Sequence, residues 1–400
     1  MELNPGYKRV ETGVIPETWD YRPIADYAQL ESGHTPSKKV AAYWDGTVPW
    51  VSLHDTLALE NTFIDDTSLK ISELGLARSS ARLLPAGTVV FSRTATVGKA
   101  SIITKPMATS QDFANYICGP DLDNEYLVHL FRAMGSTWRS LMAGSTHNTI
   151  YMPAFKKLQI VAPPLAEQKA IAGALADVDA TIGAMTKLLA KKRDLRTATM
   201  QRLLTGKVRL NNASKPWQLK HLGDVLRIRH GKSQKKVEDP AGKYPILATG
   251  GQIGTANEAL FSGPSVLIGR KGTIDKPQFM PTPFWSVDTL FYSELIGENV
   301  AKFFYYLFHF IDWKRYNEAS GVPSLSSRTI EKIEVRCPEP DEQKDIVAVL
   351  TDLDDEIFAH EAAIRKNHAL KQAMMQALLT GRVRLPVGTV DDAGMELVDA

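Results

Sequence analysis

The chain has 400 residues, of which 44% are hydrophobic and 23% are charged, and its formal net charge is +2. This length exceeds what one hydrophobic core supports, so two or more domains are expected. Two cysteines exclude a disulfide framework and a cysteine-based zinc site, and the absence of a bilayer-length apolar run predicts a cytoplasmic protein with no membrane partner.

The first segment, residues 1–162, is predicted to be a globular α+β domain. Its β-branched run Thr88–Phe91 indicates a strand, with glycine-, proline- and serine-rich turns on either side. Basic and polar residues gather in its loops, as on surfaces that position phosphates and contact base edges. Any single lysine is more often a solvated surface charge. The DNA-contact candidates are Lys38, Lys39, His54, Arg93, Thr94 and Lys99.

The segment 163–210 returns as residues 338–385 at a constant offset of 175 positions, and 22 of the 48 aligned residues are identical. Composition alone would give about one match in sixteen, so the two segments are a true repeat. The repeat is too long for a solenoid unit. It indicates two copies of a module, each a variable globular part followed by a helical segment.

Each repeat predicts a long helix. It opens on proline followed by Glu-Gln-Lys, and acidic residues in a first turn suit the helix dipole. It ends at Thr205-Gly206 or Thr380-Gly381, a glycine stop. Apolar residues at 3/4 spacing predict a coiled-coil seam, which should resume at Leu195 and Leu370. The main seam residues are Ile171, Leu175, Val178, Ile182, Leu189 and Leu203, then Ile346, Leu350, Leu353, Ile357, Ile364 and Leu378.

A helix over the 37 residues Glu167–Leu203 would be roughly 55 Å long at about 1.5 Å per residue. With one apolar stripe it needs a partner, and its duplicate is the simplest one. We therefore expect an antiparallel coiled coil with pseudo-two-fold symmetry and a globular domain at each end. The predicted fold class is α+β, with two globular domains separated by two long helices.

The third segment, residues 211–337, echoes the first. Trp217 and Gly231 match Trp19 and Gly33 at an offset of 198 positions, and Arg270 follows a strand as Arg93 does. Recurrence of basic loops at equivalent places favours DNA contact over solvated charge. The candidates are Lys232, Lys235, Lys236, Arg270, Lys271 and Lys276. Residues 386–400 are predicted to be a mobile tail.

Enzyme signatures are missing. There is no Walker loop, and the histidines lack a matched nucleophile or metal partner, so no catalytic residue and no metal site is expected. Asn4-Pro5-Gly6-Tyr7 superficially resembles an adenine-methyltransferase loop but has no glycine-rich cofactor loop beside it. Autonomous adenine methylation is thus the weakest hypothesis. A coiled-coil adaptor that binds proteins only is a further alternative.

The order of variable domain, long helix, second variable domain and second helix resembles the specificity subunit of Type I restriction–modification systems. The helix entry Pro163–Lys169 and the helix ending Leu203–Leu210 are similar to that family. In the globular parts, segments 33–37, 43–46 and 49–52 resemble the family's first target-recognition domain, and segments 244–254, 266–272 and 285–289 resemble another variant. The resemblance covers about residues 10–385.

The resemblance implies a chain without catalytic activity that acts in DNA methylation and restriction. Each domain would read one half of an asymmetric bipartite target in double-stranded DNA, while the coil sets the spacer. Two modification (methyltransferase) subunits and, through them, two restriction (translocase and nuclease) subunits would dock on it. S-adenosylmethionine, ATP and Mg are expected on those partners and none on this chain, in a prokaryotic, nucleoid-associated location. The alternative is a specificity subunit for a fused methyltransferase–nuclease of a Type II-like system.

Overall fold

The computed structural model of the chain describes residues 5–142, 148–210 and 215–386. The predicted tail lies outside these residues apart from Pro386, and so does Asn4. The chain divides into two compact units: unit 1 comprises Met1–Ala184 and Ile364–Ala400, and unit 2 comprises Met185–Ala363. The segment boundaries at 162, 210, 337 and 385 remain a prediction. Within the described ranges, no helix is both long and apolar enough for a membrane crossing.

Unit 1 contains short strands and helices followed by the first part of a long helix. The strands are β1 (Tyr7–Val10), β2 (Gly13–Pro16), β3 (Asp20–Pro23), β4 (Ala28–Ser32), β5 (Trp44–Val51), β6 (Phe63–Ile64), β7 (Leu69–Ile71), β8 (Val89–Ser92), β9 (Ala100–Ile103), β10 (Ala108–Thr109), β11 (Phe113–Cys118) and β12 (Gln159–Ala162). The helices are α1 (Glu73–Ala77), α2 (Asn124–Ala133), α3 (Gly135–Met142), α4 (Met152–Lys156) and α5 (Leu165–Leu204).

The core of unit 1 is a five-stranded sheet in the order β4-β11-β8-β9-β6, beside a three-stranded sheet β10-β5-β7. All four residues of strand β8 are buried. Because successive side chains of a strand point to opposite faces of the sheet, both faces of β8 are covered. Val89 and Phe91 pack with the residues of α2. Val90 packs on the other face with Ile103 and Phe113. The β-branched run noted in the sequence is therefore a central strand.

Unit 2 repeats this plan with fewer strands. They are β13 (Gln218–His221), β14 (Leu226–His230), β15 (Tyr244–Ala248), β16 (Gly251–Ala256), β17 (Ser265–Gly269), β18 (Gln278–Met280), β19 (Trp285–Ser286), β20 (Leu290–Leu295) and β21 (Glu334–Cys337). The helices are α6 (Leu222–Val225), α7 (Ala301–Phe308), α8 (Ser327–Glu331) and α9 (Pro340–Leu378). The sheets have the orders β14-β20-β17-β18, β16-β15-β19 and β13-β21.

The two units share one hydrogen-bonding scheme. In unit 1 the backbone carbonyl of Arg93 accepts from the amide of Ile150 at 2.9 Å, and in unit 2 the carbonyl of Arg270 accepts from the amide of Leu325 at 2.9 Å. The amide of Arg93 donates to the carbonyl of Asp112 at 2.9 Å and that of Arg270 to the carbonyl of Thr289 at 2.8 Å, each acceptor directly preceding a strand, β11 or β20. These bonds join parts of the chain that are far apart in sequence. The weak sequence similarity of the two globular parts therefore reflects a common backbone scaffold.

The long helices pair antiparallel within each unit, so the predicted fold class is confirmed. In unit 1, Asp179 of α5 pairs with Lys371 near the end of α9 at 2.6 Å. In unit 2, Lys192 near the end of α5 pairs with Glu356 of α9 at 2.6 Å. Each unit therefore combines the beginning of one long helix with the end of the other.

The predicted seam residues are buried or partly buried. The partly buried ones are Val178, Leu353, Ile357 and Ile364. Leu195 and Leu370 differ from the expectation, because they are 54% and 50% exposed. The residue after each, Arg196 or Lys371, forms an ion pair with the other helix. Since one residue turns an α-helix by about 100°, the preceding leucine points away from the seam.

A buried glutamate at the start of each long helix joins three parts of its unit. Glu167 is fully buried and accepts from the indole Nε1 of Trp19 at 2.9 Å and from Nε and Nη2 of Arg384, each at 2.7 Å. In unit 2, Glu342 accepts from Trp217 at 3.0 Å and from Arg209 at 2.6 and 2.7 Å. We call these two clusters the Glu–Arg–Trp clamps. The arginine of each clamp follows the glycine stop of the other helix.

The Glu167→Ala substitution is expected to lower the free energy of unfolding by about 2–3 kcal/mol, because it leaves the buried indole N–H of Trp19 without an acceptor and Arg384 without its carboxylate. Urea unfolding monitored by tryptophan fluorescence measures this loss. Asp66→Ala is the control, since it removes an exposed carboxylate that pairs with Lys70 at the surface. Equal stability of the two variants would contradict the role of the clamp.

A second polar cluster occurs once in each unit, where α2 or α7 meets the coil. The equivalent residues of α2 and α7 in this cluster are 177 positions apart. In unit 2 the hydroxyl of Tyr306 donates to Asp354 at 2.8 Å, and Arg196 pairs with the same carboxylate. In unit 1 the equivalent residue is His129, which is fully buried and whose ring nitrogens have no hydrogen-bond partner among the described residues. Burial, together with the nearby cations of Lys371 and Arg132, lowers the pKa of His129 to about 4 despite Asp179.

The lowered pKa of His129 predicts a loss of stability as the pH falls. As the pH falls below 6.5, the ordinary pKa of histidine, His129 takes up a proton in the unfolded chain but stays neutral in the folded unit until about pH 4. The free energy of unfolding therefore decreases as the pH falls from 6.5 to 4. His129→Tyr, which copies unit 2, should remove this slope and add a donor to Asp179. Thermal unfolding between pH 7 and pH 4 tests this, and parallel curves for both proteins would refute it.

Candidate DNA interface

In unit 1 a short loop after β4 carries two exposed lysines, Lys38 and Lys39. It starts at Gly33, where a Cβ atom would overlap the carbonyl oxygen of Ser110, so a larger residue could not pass this close to the next segment. The indole Nε1 of Trp50 donates to the carbonyl of His34 at 3.0 Å. The loop therefore leaves the sheet at a fixed point.

A second indole holds the same loop nearer the lysines. Trp44 Nε1 donates to the carbonyl of Ser37 at 3.2 Å. The rings of Trp44 and Trp50 meet edge to face with centroids 5.1 Å apart, an arrangement that aromatic pairs favour. The two indoles hold the backbone of the loop by hydrogen bonds on the N-terminal side of Lys38 and Lys39. Both cations therefore lie in a loop whose backbone is held in place.

In unit 2 the equivalent loop after β14 carries Lys232, Lys235 and Lys236, all exposed. It starts at Gly231, where a Cβ atom would overlap the carbonyl oxygen of Val287. The indole Nε1 of Trp285 donates to the carbonyl of Lys232 at 2.9 Å. The same position of the loop is thus held in both units.

The two loop-holding indoles come from different strands. Trp50 lies in β5 and pairs with Ala108 of β10, whereas Trp285 lies in β19 and pairs with Ile246 of β15. The parallel strand pairs β5·β10 and β15·β19 are equivalent, so the tryptophan sits on the opposite member in each unit. The hydrogen bond to the loop is retained although the residue that makes it has changed place.

Trp50→Phe is expected to loosen this loop, because the carbonyl of His34 loses its donor at a cost of about 1 kcal/mol. That cost corresponds to roughly five-fold faster hydrogen exchange at the His34 amide, which bonds to Thr109 at 2.9 Å. Trp138→Phe is the matched control, since that indole donates to Phe131 within the core. Faster exchange of the loop in the control, or none in Trp50→Phe, would contradict the anchoring role.

The predicted arginines are partly committed to the scaffold. Arg93 donates through Nε to the carbonyl of Gln111 at 2.8 Å and through Nη1 to that of Ile150 at 3.0 Å, and burial lowers its pKa. Arg270 donates through Nη1 to the carbonyl of Asp288 at 3.1 Å. A guanidinium group has five N–H donors. Each arginine therefore joins loops together and keeps donors for a ligand.

Lys99 lies in a different environment from the loop lysines. Its ammonium group donates to the carbonyl of Thr56 at 3.1 Å and pairs with Glu60 at 2.7 Å. The hydrogen bond from Lys99 lowers the pKa of Glu60. It lines a cavity of about 640 Å³ with Arg132 and with His368 of α9. The structure thus places Lys99 beside the coil.

The other predicted residues lie in loops. Thr94 is partly buried and forms a backbone bridge with Thr149. His54 is exposed in a 3-10 turn, Leu53–Asp55, that is capped by Ser52. Lys271 and Lys276 are exposed after β17.

The loop lysines form no ion pair with the residues that the structure describes. Among the residues that the structure describes, no carboxylate lies within ion-pair distance of Lys38, Lys39, Lys232, Lys235, Lys236 or Lys271. By contrast, some cations of the coil, among them Lys192 and Arg196, are paired with carboxylates of the facing helix. Unpaired cations on braced loops provide binding sites for an external polyanion.

In unit 2 the structure also brings together residues that the sequence argument did not connect. Arg270 and Lys271 line a pocket with His230, the last residue of β14, and with Arg328 of α8. His230 and Arg328 carry no motif, and each lies far along the chain from Lys271. The sequence shows that Arg328 is charged but does not indicate that it lies beside Lys271.

The sequence matches the family model described as the Type I restriction modification DNA specificity domain, over residues 16–191 and 214–368. The chain belongs to this family. The predicted family resemblance is confirmed, and the two matched regions contain the two loop systems described above.

Relatives of the chain carry the same description. It is 28% identical over 257 residues to the Type I restriction enzyme MjaIX specificity subunit of Methanocaldococcus jannaschii, covering 60% of each chain. It is 24% identical over 357 residues to the EcoprrI specificity subunit of Escherichia coli, covering 84% of this chain and 87% of that one. The crystal structure of the Type I system S subunit from M. genitalium has a TM-score of 0.59 at 17% identity, over 94% of this chain and 98% of that one. This likeness shows that the fold is shared.

Proposed function

We propose that this Type I specificity subunit is non-catalytic and that each globular domain reads one half of a bipartite target in double-stranded DNA. The observation that carries the proposal is the pair of glycine-anchored, indole-braced loops with unpaired lysines, one in each unit. Because one scaffold presents Lys38 and Lys39 in one unit and Lys232, Lys235 and Lys236 in the other, the two half-sites differ and the target is asymmetric.

The long helices are proposed to set the spacer between the half-sites. Helices α5 and α9 run without interruption for 40 and 39 residues and contribute to both units. Ion pairs and the Glu–Arg–Trp clamps repeat along their length, which supports a stiff element. A stiff connection holds two binding modules at a defined distance better than a flexible one.

The coil is also proposed to dock two modification subunits, and through them two restriction subunits. Leu195 and Leu370 occupy equivalent positions of the repeat and are both half exposed, so they offer one apolar contact on each copy. In this proposal S-adenosylmethionine, ATP and Mg are held by those partners in the prokaryotic cytoplasm. The unpaired loop lysines favour this function over a protein-only adaptor, because an adaptor needs no site for a polyanion.

Removal of one heptad from each helix, at facing positions, is expected to shorten the spacer by about three base pairs, since seven residues span roughly 10.5 Å and a base pair about 3.4 Å. Both half-sites should stay the same. Genome-wide mapping of methylated adenines in cells that carry this chain with its modification subunit measures the target for the wild type and the variant.

The control is a deletion of seven residues from only one helix, which misaligns the ion pairs and should abolish methylation. A continuous motif in the wild type would refute the bipartite target. A bipartite motif whose spacer is unchanged by the paired deletion would refute the role of the coil and leave the reading of two half-sites intact.

A further inference from the structure

We propose that the pocket of unit 2 lined by His230, Arg270, Lys271 and Arg328 binds a phosphodiester group of the DNA backbone at the second half-site. This inference rests on the proposed function and adds a ligand and two residues to it. The pocket has a volume of about 390 Å³ and also contains Ser326. We call it the unit 2 pocket.

Backbone hydrogen bonds build the unit 2 pocket. The segment before α8 is joined to the strand end at Arg270, whose carbonyl accepts from Leu325 at 2.9 Å. The amide of Gly272 donates to the carbonyl of Pro323 at 2.9 Å, and Lys271 forms a bridge with Ser324. These bonds hold Arg328 and Lys271, which are separated in sequence, on one concave surface.

The ring of His230 is also fixed in place. It packs edge to face on the buried ring of Phe291 with centroids 4.9 Å apart. His230 ends the edge strand β14 and is followed by Gly231, the start of the lysine loop. The unit 2 pocket therefore continues directly into the surface that carries Lys232.

The charge of the unit 2 pocket is positive. Its lining has three cations, Arg270, Lys271 and Arg328, and one carboxylate, that of Glu318, which leaves a net charge of +2 with His230 neutral. Glu318 accepts from the hydroxyls of Ser326 and Thr329, and these bonds lower its pKa. Both bonds are accepted by one oxygen of this carboxylate, Oε1, and no carboxylate of the described residues pairs with Lys271 or Arg328.

A phosphodiester fits this arrangement better than a base edge. Base reading uses planar contacts in a groove or stacking on an exposed ring. Of the two aromatic rings in the lining, Phe291 is 1% exposed and the imidazole of His230 is held edge to face against it. Converging cations beside serine hydroxyls are typical of contacts that position the DNA backbone. The ligand class assigned is therefore the backbone phosphate.

The described residues at the equivalent place in unit 1 carry fewer cations. The shared hydrogen-bonding scheme aligns Arg93 with Arg270, but Ser32 replaces His230 and Thr94 replaces Lys271. Pro153 replaces Arg328, at the offset that aligns Ile150 with Leu325. The phosphate site is thus a property of unit 2, and the half-site read by unit 2 should contribute more of the salt-dependent affinity.

The test uses the full chain with its modification subunit and two duplexes: one with the bipartite motif from the methylation map and one with a scrambled sequence. The logarithm of the binding constant is measured against the logarithm of the salt concentration. Arg328→Ala and Lys271→Ala should each reduce the slope by about 0.9 and weaken both duplexes by the same factor. Arg328→Lys should keep the wild-type slope, because a point charge satisfies a phosphate.

The matched control is Arg336→Ala, which removes an equally exposed arginine from β21, outside the unit 2 pocket, and should leave the slope unchanged. Equal slopes for wild type and Arg328→Ala would overturn the proposal. Relaxed preference at one base pair in Arg328→Lys would also overturn it, because that result assigns base reading.

Calorimetric titration without DNA distinguishes the source of the phosphate. Neither inorganic phosphate nor ATP should bind in a way that depends on Arg328, and such binding would assign the unit 2 pocket to a free phosphate instead. A wild-type complex with no salt-dependent DNA affinity would refute the proposed function itself. Salt-dependent wild-type binding with unaffected variants would refute only the unit 2 pocket.

Discussion

The arrangement of each unit depends on one buried carboxylate, Glu167 or Glu342, at the start of a long helix. A buried carboxylate is unfavourable unless it is paired and hydrogen-bonded. Each of these glutamates meets this requirement with an arginine from the end of the other helix and an indole from the globular part. The contact therefore forms only when the helix start, the opposite helix end and the domain come together. The clamp sets which ends of the helices meet in each unit.

The separation of scaffold and surface explains how two domains with little common sequence serve one purpose. The backbone bonds around Arg93 and Arg270 are the same in both units, and the main sheet has four strands in unit 2 and five in unit 1. The side chains on the loops differ, and even the loop-holding tryptophan changes strand between Trp50 and Trp285. Evolution of a new surface on such a scaffold requires that the loop is held, and several positions can supply the donor. Loops on a rigid frame are the usual place for such variation.

Paired and unpaired cations lie in different parts of each unit although the net charge of the chain is only +2. Some cations of the coil, among them Lys192 and Lys371, are paired with carboxylates of the facing helix. These pairs select the antiparallel register. Among the residues that the structure describes, the exposed lysines of the two glycine-anchored loops and the cations of the unit 2 pocket form no such ion pair. The net charge calculated from composition sums the paired and the unpaired cations, so it does not distinguish the two groups.

The sequence by itself determined the elements whose signals are local or repeated. The duplicated helices, their glycine stops at Gly206 and Gly381 with left-handed φ angles of 70° and 68°, and most of the seam followed from periodicity and identity between copies. Gly33 and Gly231 could be matched for the same reason.

Only the tertiary structure decided which charged and apolar side chains face one another. It paired Lys99 with Glu60, turned Leu195 and Leu370 outward, and brought His230 and Arg328 beside Lys271. These outcomes depend on partners that are distant in sequence. A helical period fixes the angle of a residue around its own axis but not the identity of the side chain opposite. For the same reason, the lysine pattern located the loops of the candidate site but not the pocket beside them.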